Sequence, residues 1–207
     1  MARYGQPLSR RRRRERGQSL VEFSLVIPMF IALVVAIAEF SLLFSSFLSV
    51  GFASHDAVQL AATYGNTTNA DSAILLRITN DISTPADPKK IKTVDIYQVD
   101  TSSSAANPVS GAETIYTYDG GAHTFTMPDL TTVVLPFVQT VNGYPTSNRC
   151  NANAGIGCTG GKTTVDTIGV KITYQYAWLT PFPALFSGSG SGPLITQINI
   201  MRLEPIL

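Results

Sequence analysis

Residues 17–66 read GQSLVEFSLVIPMFIALVVAIAEFSLLFSSFLSVGFASHDAVQLAATYGN, and an arginine block precedes them. From Phe23 to Ala38 no residue carries a charge; Glu39 interrupts, and Phe40 to Phe52 continues apolar with interspersed serines. A helix of about 20 residues, rising 1.5 Å per residue, crosses a hydrocarbon core roughly 30 Å thick, so residues 23–44 suffice for one span. Beyond it, Phe44, Phe47, Leu48, Phe52, Val58, Ala61 and Ala62 form a helical stripe that runs to the stop signal Gly65-Asn66. This predicts one helix from about Ser19 to Tyr64, its outer third packed on an external domain. Pro28 lacks an amide donor and crowds the preceding turn, so a slight bend is expected there.

The charge distribution orients the span. Residues 1–17 hold seven arginines against one acid, whereas the rest of the chain holds eight bases and thirteen acids. Basic flanks stay cytoplasmic, which predicts the amino end inside and everything beyond about residue 50 outside. Only 14% of the 207 residues are charged, against roughly 25% in a typical soluble domain. Basic charge confined to one terminus beside a membrane span disfavours nucleic acid as a partner, since such proteins spread basic charge over a folded face. Two cysteines and two histidines build neither a disulfide scaffold nor a zinc site, and no cofactor is called for.

Two acids in the apolar region need an account, because a carboxylate at mid-membrane costs on the order of 2.5–3.5 kcal/mol on insertion scales. Glu22 lies near the cytoplasmic interface. Glu39 is a candidate for a polar contact within the membrane or for a place near its outer face. At the junction, Arg16-Gly17-Gln18-Ser19-Leu20-Val21-Glu22-Phe23 resembles the prepilin cleavage pattern: a basic leader, a glycine, then an apolar stretch with glutamate at its fifth position. The longer string GQSLVEFSLVIPMF, the later Glu39-Phe40 and the closing Met201-Arg202-Leu203-Glu204 are similar to TadE-like minor pilins (pseudopilins) of the tight-adherence, or Flp-type, pilus apparatus. That resemblance is strongest over about residues 16–60 and weaker in the last forty.

The resemblance implies that a prepilin peptidase in the membrane cuts after Gly17, leaving Gln18 as the first mature residue. It also implies that Glu22, followed by Phe23, pairs in the assembled state with the new amine of a neighbouring subunit. The carboxylate is then costly alone and favourable when docked. The partners implied are the membrane, the peptidase, the major pilin, other pseudopilins and an inner-membrane assembly platform. The location implied is the bacterial cytoplasmic (inner) membrane, crossed once. Three other readings remain: a signal peptide cut near Gly51-Phe52-Ala53, an unprocessed single-pass anchor carrying an external binding module, and a secreted enzyme.

The chain thus divides into a basic leader (1–17), a transmembrane and stalk helix (18–64) and an extracytoplasmic α+β domain (65–207). In the last, Ile74, Leu75, Ile78 and Ile82 predict a short amphipathic helix over 70–82 that covers a sheet. Segments 93–99, 113–118, 122–127, 131–138, 164–178 and 194–203 read as strands of an antiparallel sheet. The clearest puts Ile168, Val170, Ile172, Tyr174, Tyr176 and Trp178 on one face and ends at Pro181. SGSGSG, 187–192, reads as a linker or exposed loop, and Gly-Gly-Ala-His before Thr124 as a hairpin turn. Cys150 and Cys158 flank a Gly/Asn-rich loop and, outside the cytoplasm, are expected to form a disulfide. Gly160-Gly161-Lys162-Thr163 lacks the first glycine of a phosphate loop, since position 156 is Ile156. Asp100-x-Ser102-x-Ser104 has the spacing of a metal-dependent adhesion site without the repeated strand–helix units that fold needs. No nucleophile–base pair can be assembled, so an enzyme is not expected.

Overall fold

A computed structural model describes residues 11–102, 107–151, 158, 164–180 and 191–204, with the backbone alone for 11–16. Helix α1, Arg11–Tyr64, is one unbroken element of 54 residues, about 81 Å long at 1.5 Å per residue. It stops where expected: Gly65 adopts φ +52°, the left-handed conformation glycine takes without a Cβ penalty, and its N–H closes on Ala61 O at 3.0 Å. Two compact units divide the chain, Met1–Ser41 and Leu42–Leu207.

The second unit is α+β. Helix α2, Ala70–Asp81, buries Ile74, Leu75 and Ile78 as its periodicity requires, and Ile82 just beyond it is buried too. The strands are β1, Ile91–Val99; β2, Pro108–Thr126; β3, Thr132–Asn142; β4, Thr167–Ala177; and β5, Ser191–Arg202. They form one sheet in the order β3-β2-β1-β4-β5, every neighbouring pair antiparallel. In β4 Ile168, Val170, Ile172, Tyr174 and Tyr176 are buried on a shared face, the period-2 pattern of a strand lying on a core. Residues 44–64 of α1, α2 and that face enclose a core of Val94, Ile96, Val170 and Ile172 with Ala53, Ala57 and Ala61.

Two expectations are corrected. The stripe by which the helix packs is Val50, Ala53, Ala57, Val58, Ala61 and Ala62, whereas Phe44, Phe47, Leu48 and Phe52 remain exposed. Small side chains let a helix approach a sheet closely, and at that range Ser54 Oγ donates to the strand carbonyl of Val170 at 3.1 Å. Bulky rings would hold the helix off. The segments 113–118 and 122–127 are one strand, not two. Between Tyr118↔Phe137 and His123↔Leu135 the residues Asp119 to Ala122 have no partner on β3, a bulge rather than a hairpin turn. Asp119 stabilises it by accepting from Gly121 N at 2.9 Å and engaging His123 Nε2 at 2.7 Å. Ser191 and Gly192 belong to β5, while 187–190, Pro181 and Gly160 to Thr163 lie outside the described residues.

Candidate functional site: the charged junction and the apolar helix

Residues Gly17–Tyr64 form a helix long and apolar enough to cross a membrane, and no residue of its most apolar eighteen-residue window is buried against protein. Leu25 is 72% exposed, Met29 76% and Phe30 63%. A helix apolar on all sides and uncovered among the described residues suggests a membrane anchor. Its hydroxyls are satisfied internally: Ser24 Oγ donates to Val21 O and Ser41 Oγ to Ile37 O, both at 2.8 Å. Pro28 lies inside the helix and cannot donate to the carbonyl one turn before it.

At the junction, Gly17 is open: a Cβ built there meets nothing within 4 Å. Gln18, Glu22 and Phe23 are all exposed. Gln18 Nε2 stands 3.4 Å from Glu22 Oε1, one turn along the helix, a neutral donor against a carboxylate. No cation pairs with Glu22 among the described residues. Glu39 differs from it: only 3% of its surface is exposed, and it is already engaged in a polar or electrostatic interaction.

The second unit contains polar chemistry that no local spacing announces. Arg149, fully buried, donates through Nη2 to Asp71 Oδ1 at 2.5 Å, and Tyr116 Oη donates to Asp71 Oδ2 at 3.0 Å. The guanidinium lies over the Tyr144 ring, 5.3 Å from its centroid. Tyr144 Oη in turn donates to Asp166 Oδ2 at 2.9 Å, and Asp166 also accepts from Cys150 N at 2.9 Å and Gln98 Nε2 at 2.8 Å. Burial, with the neighbouring carboxylates second, pushes the phenols of Tyr116 and Tyr144 far above the usual tyrosine range. The contacts join residues up to 78 positions apart, so the signal for them is tertiary. A disulfide joins Cys150 and Cys158 at a Cα separation of 5.1 Å, beside this network.

Asp100 Oδ1 accepts from the N–H and the hydroxyl of Ser102 at 2.9 and 2.6 Å, a side-chain turn that lowers the carboxyl's pKa; Ser104 lies outside the described residues. His55 and Asp56 lie on α1, where Asp56 pairs with Arg77 of α2 at 2.7 Å.

No curated protein and no solved structure matches the chain. The TadE-like family implies a function related to the tight-adherence pilus. Residues 17–59, the junction and the apolar helix, match the family model described as TadE-like protein, and that segment is consistent with a TadE-like protein of the tight-adherence pilus system.

Proposed function

We propose that the chain is a minor pilin or pseudopilin of the tight-adherence apparatus, inserted once in the cytoplasmic membrane with its amino end inside and trimmed after Gly17 by a prepilin peptidase. It acts by assembly, not catalysis. The carrying observation is Glu22, an exposed acid five places beyond Gly17 at the start of the apolar stretch, facing one neutral amide and no cation among the described residues. Its charge partner in the assembled state is the amine that cleavage creates on Gln18 of a neighbouring subunit. The exposed Phe40, Phe44, Phe47 and Phe52 support the same reading, since a run of uncovered aromatics outside a protein core marks a packing surface. Partners are then the peptidase, the major pilin, sibling pseudopilins and the inner-membrane platform. Cleavage near Ala53 is disfavoured, because Val50 and Ala53 are part of the core of the second unit.

Amino-terminal sequencing or intact mass of the protein taken from native membranes tests the proposal. A mature chain that starts at Gln18 supports it. A chain that starts at Met1 or Ala2 overturns it in favour of an unprocessed anchor with an external binding module, and one that starts near Ser54 points to a secreted protein.

A further inference from the structure

We propose that the second unit carries a binding site for a neutral sugar, in a cavity of about 370 Å³ between the start of α2, β2 and the end of β3. That volume lies within the roughly 300–1,000 Å³ of small-molecule sites. The side-chain amides of Asn69, Gln139 and Asn142 line it, and none makes a hydrogen bond to another described residue. The hydroxyls of Thr124 and Thr146 line it on the same terms. Amides and hydroxyls both donate and accept, as sugar hydroxyls do.

Asp71 and Tyr116 also line it, and the Asp71 carboxylate accepts from Arg149 on Oδ1 and from Tyr116 on Oδ2. Each oxygen retains acceptor capacity, so Asp71 offers two rigid acceptors without a free charge. The pairing decides the ligand class. An anion finds no available cation, because Arg149 is fully buried and committed, and a cation finds a carboxylate already neutralised. Phe125, half-buried and tilted against Tyr116 at a centroid distance of 6.3 Å, supplies the apolar face on which the C–H side of a pyranose rests. A peptide fits less well: it would take its main-chain bonds along the β3 edge and leave the converging amides unused.

The inference is independent of processing at Gly17 and is tested on the full chain in nanodiscs or a sugar-free zwitterionic detergent. The probes are cellobiose, lactose, maltose and diacetylchitobiose, followed by calorimetry and saturation-transfer spectroscopy. One-site, saturable binding of at least one disaccharide is expected, with a Kd of roughly 0.01–10 mM. The double variant Gln139→Ala/Asn142→Ala removes exposed, uncommitted groups; it is expected to weaken binding about 10-fold or more with an unchanged melting midpoint. The proposal is overturned if no disaccharide saturates by about 50 mM, if the double variant binds as well as the parent, or if only inorganic phosphate or a serine/threonine-rich decapeptide binds in this cavity.

Discussion

Arg149 is the residue whose loss the fold tolerates least. Its side chain has no exposure, and among the described residues its Nε and Nη1 have no hydrogen-bond partner. A buried ion pair is in general no large net gain in itself, because of the desolvation of both charges, yet removing one partner strands a charge. Arg149→Leu should destabilise the second unit by about 3–5 kcal/mol, and Arg149→Leu/Asp71→Leu by much less; denaturant titration of both variants checks this, and equal losses would contradict it. The tyrosines beside the pair set the alkaline limit. Tyr116 and Tyr144 ionise less readily in the fold than at the ordinary value of 10.0, chiefly because they are buried. The stability this represents is whole below pH 10, where both states hold the proton, and is lost as pH rises above it, where only the unfolded chain ionises. Stability should fall by about 1.4 kcal/mol per pH unit for each of the two. Denaturant midpoints between pH 8 and 11.5 measure it, and a Tyr116→Phe/Tyr144→Phe variant should show a shallower decline. None of this cluster was legible in the sequence, because Asp71, Tyr116, Tyr144, Arg149 and Asp166 meet only after the sheet has formed.

Among the elements, the best-read ones are those whose packing follows a period. β4 alternates and is buried on alternate residues, and α2 places Ile74, Leu75 and Ile78 on its core side. Periodicity failed on the outer part of α1, because it ranks Phe44 and Phe52 above Ala53 and Ala57, whereas contact with a sheet selects for small size. It failed on β2 because Asp119-Gly120-Gly121 has the composition of a turn, and a bulge uses the same residues: Gly120 takes φ +75°. The β1–β4 pairing supplies a test at this scale. Gly169 stands opposite Tyr97, and a Cβ there would lie 2.6 Å from Tyr97 Cε2 and 2.8 Å from its hydroxyl. The ring occupies the space a side chain would need. Gly169→Ala should therefore destabilise by about 1–3 kcal/mol, as overpacking does. Against a Tyr97→Ala background the same change should cost less, so thermal melts of the four proteins should give a non-additive cycle. Additive losses would mean that the ring is not what excludes the methyl group.

For the molecule as a whole, the long apolar helix was legible almost entirely, since length and apolarity are one-dimensional properties. The assembly role proposed for it turns on Glu22. If the carboxylate served insertion or helix stability, removing its charge would alter those first; yet Glu22→Gln exchanges a costly charge for a neutral group of equal shape, so insertion should be as good or better. Assembly should suffer, because the amine of a neighbouring Gln18 then enters the apolar bundle without its counter-charge. On the proposed processing, blocking the cut with Gly17→Leu would remove the same ion pair from the other side, since the amine would never form. Each single variant should lower pilus yield severely, with the protein still in the membrane fraction, and the double variant should be no worse than either alone. A pair that acts as one unit is lost once. Counting assembled pili on cells carrying each of the four forms decides it: defects that compound would show Gly17 and Glu22 acting separately, and wild-type yield from Glu22→Gln would remove the ion pair from the account of assembly.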